Sequence, residues 1–167
     1  MTTTTALITP LTPAQKRIAE LLVQGLTNGE IATEARLSTE TVGFHIRNMR
    51  QSLHCPPRSK LPVLAHTLLL HRQVPVPSLP ASRPPFTASE NQRLLLKAHA
   101  EHSATVDIAR NAKIAPTDVK AFTEDLVRAA GADNVTQLVG WGHALRLLGA
   151  GGEGAADLSA TPEGAAR

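Results

Sequence analysis

The 167-residue chain has one cysteine, one tryptophan, three phenylalanines and no tyrosine. A lone thiol, Cys55, forms no internal disulfide and builds no zinc site by itself; it reads as a small buried residue. With aromatics at 2% and hydrophobic residues at 42%, the interior has to be filled by Leu, Ile, Val and Ala, as in small helical bundles. No apolar run approaches the roughly 18 residues needed to span a bilayer. The start MTTTTALITP lacks the charged and apolar regions of a secretory signal. A soluble, cytoplasmic protein with no membrane contact is therefore expected. Also missing are a Gly-rich phosphate cradle, catalytically paired carboxylates and a nucleophile motif. His99 and His102, one turn apart, would be only half of a metal site and read as a solvated helix face. No catalysis, cofactor or metal is expected.

Charge is unevenly spread. Residues 1–75 hold eight Lys and Arg against four acids, whereas the remainder holds nine against ten. The electrostatic footprint, and with it any affinity for phosphate, belongs to the first half.

That half reads as four short helices. Thr12-Pro13-Ala14-Gln15 is a capping box with proline at the first helical position, and Ile18, Leu21 and Leu22 follow on one face until Gly25. Thr27-Asn28-Gly29-Glu30 is a second capping box, opening a helix that buries Ile31, Ala32 and Ala35. Ser38 caps a third helix over 39–53, in which Val42, His45, Met49 and Leu53 form an inward stripe. Pro56-Pro57 breaks the chain, and a fourth helix from about Ser59 presents Leu61, Leu64, Ala65 and Leu68. The tight turn at Leu37-Ser38, between the second and third helices, is that of a helix-turn-helix.

Gln73 to Pro85 contains five prolines and predicts a semi-rigid spacer, able to separate two domains by about 35–40 Å at ~3 Å per residue. Beyond it the pattern returns. Thr87 to Glu90 is a capping box, Leu94, Leu95 and Ala98 follow, Ile108-Ala109 stands for Ile31-Ala32, and Ile114 for Leu37. Val119, Phe122 and Leu126 repeat Val42, His45 and Met49 at an offset of 77, and Thr136 and Leu138 repeat Ser59 and Leu61. This alignment needs a two-residue insertion near His99–Ser103. The Gly/Ala-rich tail from Gly149 predicts disorder.

Taken jointly, Leu11-Thr12-Pro13, Leu21-Leu22, Gly25-Leu26-Thr27-Asn28, Glu30-Ile31-Ala32, Leu37-Ser38, Thr41-Val42, His45, Met49, Leu53 and Arg58-Ser59 resemble the LuxR-type (NarL/FixJ-like) helix-turn-helix family. The resemblance covers 11 to about 70, and 86 to about 148 resembles it weakly. It implies an all-α chain of two tandem four-helix LuxR-like domains: a flexible 1–10, a DNA-binding domain at 11–72, a linker at 73–85, a degenerate copy at 86–148 and a disordered tail at 149–167. In the family the third helix reads the major groove and the fourth often mediates dimerisation. Members usually carry a receiver or ligand-binding domain upstream, which the ten residues before Leu11 do not supply. The Ala/Arg/Pro-rich composition suggests a GC-rich bacterium.

With Val42, His45, Met49 and Leu53 inward, the third helix presents Glu40, Gly43, Phe44, Arg47, Asn48 and Gln51. Arg47 has the donor fork for guanine O6/N7, Asn48 suits adenine N6/N7, and Phe44 suits a thymine methyl; Gln51 completes the candidate base contacts. Thr27, Thr41, Arg50, Arg58, Ser59 and Lys60 are the candidate phosphate contacts. Gly43 stands where the family has lysine. In the second half Lys120 restores that lysine, but Glu124 and Asp125 replace Arg47 and Asn48. Lys113, Lys120 and Arg128 keep a case for weak DNA contact there, and a turn to protein contacts is the alternative. On the fourth helix Val63, Thr67 and Leu70 make a second stripe, a candidate dimer surface, and Trp141 stands in the comparable place later. These stripes either pack within their own domains or pair, between chains or between the two copies. The expected function is a nucleoid-associated transcriptional regulator that binds double-stranded DNA, with a homodimer as one expected state. The other reading is an interaction module contacting RNA polymerase, a sigma factor or another regulator.

Overall fold

Side-chain caps begin most helices, and left-handed residues end several of them. The computed structural model describes residues 9–149. Helix α1, Pro13–Val23, starts at the Thr12/Gln15 capping box, and the chain turns away at Gly25 with φ 92°. Helix α2, Asn28–Ala35, starts at the Thr27/Glu30 box and ends at left-handed Arg36. Helix α3, Thr39–Ser52, is capped by Ser38. Helix α4, Leu61–Leu70, has Pro62 in its first turn and no side-chain cap. After the proline-rich segment come α5, Glu90–Glu101, and α6, Thr105–Ala112. A 3-10 turn, Pro116–Asp118, then leads directly into α7, Val119–Ala130, and α8, Val135–Ala144, follows under an Asn134 cap. All regular structure among the described residues is helical, and none of those helices is long and apolar enough to cross a membrane.

The element pattern recurs 77 residues on, except that α8 starts and ends three residues earlier than α4 would place it. Helices α2 and α6 correspond residue for residue, and the N-cap Thr12 corresponds to Ser89. Left-handed Arg36, His54 and Arg72 correspond to left-handed Lys113, Gly131 and Gly149. The sequence predicts the α5 cap at Thr87 and Glu90, but the structure uses Ser89 and Gln92, which bond reciprocally. Two overlapping cap signals compete there, and the later one places Leu95, Leu96 and Ala98 inward. With that correction no insertion is needed.

The proline-rich segment does not hold the halves apart. Val74 is buried within the common core, and the Arg83 guanidinium lies 6.0 Å from the centroid of the buried Trp141 ring. One apolar cluster runs through both halves, from Ile18 and Leu22 through Leu64 and Leu68 to Leu96, Leu126 and Leu138. Helix α4 packs along α8, α1 touches α8, and α4 touches α5. At Gly140 a Cβ would collide with the Val23 carbonyl oxygen and crowd Pro77, so only hydrogen fits where α8 meets the end of α1.

Three of the half-buried histidines make side-chain contacts within this framework. His66 Nδ1 and His143 Nε2 lie 2.8 Å apart between α4 and α8, and His99 Nε2 lies 2.7 Å from the Thr123 hydroxyl. Burial, and then the neighbouring His66, lowers the pKa of His143 to about 4. Burial lowers that of His66, opposed by Glu101 and assisted by His71. His99 is lowered to about 4 by burial and then by Lys60. Each folded-state value lies below the unfolded one, so the unfolded chain takes up protons first as pH falls. The stability these neutral histidines contribute is complete above about pH 6.5 and is lost toward pH 4. Urea midpoints at pH 7.5 and pH 5 should therefore differ, the latter being lower, and a His66→Phe/His143→Phe chain should show a smaller difference. Gly140→Ala should cost about 1–3 kcal/mol, as overpacking does, read by the same denaturation.

Candidate nucleic-acid interface

The turn between α2 and α3 is built from three consecutive residues. Arg36 adopts φ 57°, Leu37 N–H donates to the Ala32 carbonyl at 2.9 Å, and Ser38 caps α3 by accepting from Thr41 N–H at 3.1 Å. The Ser38 and Thr41 hydroxyls are also bonded to each other at 2.8 Å. This fixes the rotation of α3, whose inward residues are Val42, Ile46 and Met49, followed by Leu53 at the C-cap. The sequence predicts His45 in that stripe, and the structure puts Ile46 there, 2% exposed, with His45 half-buried beside it. Spacings of three and four both suit a helix; the position of α1 against α3 selects 46. The same phase error recurs 77 residues on, where Thr123 is buried and Phe122 is 45% exposed.

The correction leaves the outward face intact. Phe44, Arg47 and Gln51 are exposed and lie at spacings of three and four, so they share one strip, with Glu40 one turn before. Phe44 is 53% exposed, an unusual state for so large an apolar side chain. Asn48 and Thr41 flank the strip, half-buried. A Cβ at Gly43 would meet nothing within 4 Å, so packing inside the chain does not explain its glycine.

The candidate phosphate contacts are scattered. Arg58 is exposed with φ 63°, and Lys60 is exposed, its backbone N–H donating to Ser103 Oγ at 2.9 Å. Arg50 is half-buried, and the loss of solvent lowers its pKa. Ser59 is a correction: it is 3% exposed, so its hydroxyl does not face outward, because the α3–α4 connection folds it under the start of α4. Thr27 is exposed. Its hydroxyl accepts from Glu30 N–H and its own N–H donates to Glu30 Oε2, so the capping box leaves only the hydroxyl proton to donate outward. It lines a polar cleft of about 710 Å³ with Glu30, Glu34 and Asp133, a setting that repels phosphate.

The proposed dimer surface is covered from within the chain. Val63 is buried, Thr67 is half-buried with its hydroxyl donating to the Val63 carbonyl, and Leu70 remains exposed. Helix α4 packs against α1, α5 and α8 instead, so Val63 and Thr67 are not free to meet a second chain. In the second half Lys113, Lys120 and Arg128 are exposed, as are Glu124 and Asp125, but Arg128 is paired with Asp125 at 3.0 Å. Between α5 and α7 an apolar cavity of about 280 Å³ is lined by Leu95, Ile114, Phe122 and Leu126; no sequence signal marks it, because it reflects how loosely two helices meet.

A helix-turn-helix with an exposed Arg-bearing second helix defines the class of this half of the molecule. Residues 9–65 match the family model described as bacterial regulatory proteins, luxR family. The chain therefore carries a LuxR-type helix-turn-helix domain, the DNA-binding module of a family of regulators. No curated protein and no solved structure matches the chain. The assignment of the inward face is testable by stability alone. Ile46→Ala should cost about 2–5 kcal/mol in urea denaturation, and His45→Ala clearly less; the reverse order would place the wrong face of α3 inward.

Proposed function

We propose that the chain is a sequence-specific transcriptional regulator that lays α3 in the major groove of double-stranded DNA. The observation that carries this reading is the outward strip of Phe44, Arg47 and Gln51 on the second helix of a LuxR-type helix-turn-helix. Arg47 offers two parallel donors to guanine O6 and N7, Asn48 and Gln51 offer the amide pattern that adenine accepts, and Phe44 supplies an apolar surface for a thymine methyl. Thr41, Arg50, Arg58 and Lys60 set the register on the phosphates.

The second half we take to be a divergent copy of the same module. The recurrence of its helix order, with three left-handed residues in each half spaced by 77, supports this. Its surface has changed character: Glu124 and Asp125 stand for Arg47 and Asn48, and the α5–α7 cavity beside exposed Phe122 is apolar. That cavity favours a second reading for this half alone, contact with RNA polymerase, a sigma factor or another regulator.

Selection of genomic fragments by the purified full-length protein, followed by sequencing, tests the DNA reading. A recurrent motif is expected. Arg47→Ala should weaken binding to it by about 1–3 kcal/mol and abolish the preference at one position. Enrichment of no motif, or an Arg47→Ala protein that selects the same one with the same affinity, would overturn the proposal.

A further inference from the structure

The contacts between the halves are matched element by element, and at their centre residue by residue. His66 and His143, 77 residues apart, touch each other at 2.8 Å. The start of α8 bonds to the α1–α2 turn, through Asn134 Nδ2 to the Gly25 carbonyl at 2.8 Å and Gln137 Nε2 to the Gln24 carbonyl at 3.2 Å. The start of α4 bonds to the corresponding α5–α6 turn, through Lys60 N–H to Ser103 Oγ at 2.9 Å. The α1–α8 contact likewise has its counterpart in α4–α5. A surface in which residue i meets j while j's equivalent meets i's equivalent is an isologous interface, the kind two identical chains form about a two-fold axis. Here it lies within one chain, with the axis passing near the histidine pair. Glu124 and Asp125 on α7 therefore occupy the places that the axis relates to Arg47 and Asn48 on α3.

Resting on the DNA reading above, we infer that the chain is an asymmetric, single-chain reader of DNA. One molecule occupies one site, Arg47 sets the sequence of one half-site, and Glu124 excludes that sequence from the symmetry-related half. The chemistry is direct. Guanine O6 and N7 are both acceptors, matched by the donors of Arg47. A carboxylate is also acceptor-only, so Glu124 opposite the same guanine faces like partial charge, and it repels the neighbouring phosphates as well. What a carboxylate does accept from in the major groove is the cytosine N4 amino group. Asp125 forms an exposed ion pair with Arg128 at 3.0 Å, which offsets part of its charge. The pairing surface on α4 is spent on α8, so that face does not recruit a second chain onto a palindrome.

The test uses duplexes carrying the selected motif either once or as an inverted repeat, with centres spaced in steps around 10 bp, about one helical turn. Mass photometry gives stoichiometry and a salt-controlled titration gives affinity. The wild type should form a one-to-one complex on both duplexes, without cooperativity, and bind the inverted repeat no more than about twofold tighter, the statistical gain of two sites. The surface variant Glu124→Arg/Asp125→Asn should gain at least tenfold more on the inverted repeat than on the single motif, the gain common to both duplexes being that of its added charge on the phosphates. Two wild-type chains assembling cooperatively on the inverted repeat would overturn the inference, as would a variant that gains equally on both duplexes. Either result would leave the role of Arg47 standing. Loss of the Arg47→Ala effect on the single motif would instead remove the underlying DNA reading, and this inference with it.

Discussion

The packing of α4 along α8 is the contact on which the remaining arrangement rests. Both are ten-residue helices with little polar surface, and α4 in particular has Val63, Leu64, Ala65, Leu68 and Leu69 all buried. Neither could stay folded in water with those side chains exposed, because burial of each Leu or Val contributes about 1.5–3 kcal/mol. Laying one helix on the other joins two small cores into one. The halves then become mutually dependent, which suits modules this small, since short chains bury too little of their surface to be robust alone. Glycine at 140 permits the close approach, and the histidine pair supplies the polar contact at the centre.

That arrangement leaves α3 free to act. Its inward side is fixed by Val42, Ile46 and Met49 against α1, so the outward strip carries no structural duty. The corresponding helix of the second half is held differently. The pair equivalent to Leu22 and Ile46 is His99 and Thr123, joined by a 2.7 Å hydrogen bond, and Thr123 also donates to the Val119 carbonyl. A polar bond replaces an apolar contact, and beside it lies the apolar cavity between α5 and α7. The two halves thus share an order of helices while differing in what α3 and α7 present: an arginine and an amide in one, two carboxylates in the other.

Much of this was legible in residue order. Capping boxes at Thr12 and Thr27 and the Ser38 cap mark helix starts because each satisfies backbone donors that nothing else reaches. The outward residues of α3 follow from periodicity, and they survive the substitution of Ile46 for His45 in the buried stripe. The errors have a common source. Where two residues or two caps fit a helical pattern equally well, as with His45 and Ile46, Phe122 and Thr123, or Thr87 and Ser89, the neighbouring helix makes the choice. Sequence spacing carries no information about that neighbour.

The sequence by itself determined that a helix-turn-helix lies between Leu11 and Leu70, that its basic charge is concentrated there, and that the equivalent positions later in the chain are acidic. These are local properties, fixed by spacing, caps and side-chain chemistry. Only the tertiary structure decided that the two apolar fourth helices cover each other within one chain, that Ser59 and Val63 are buried, and that the proline-rich segment lies against the core rather than spanning a gap. The reason is that hydrophobic burial has no direction: an apolar stripe states that it must be covered, and only the assembled chain states by what.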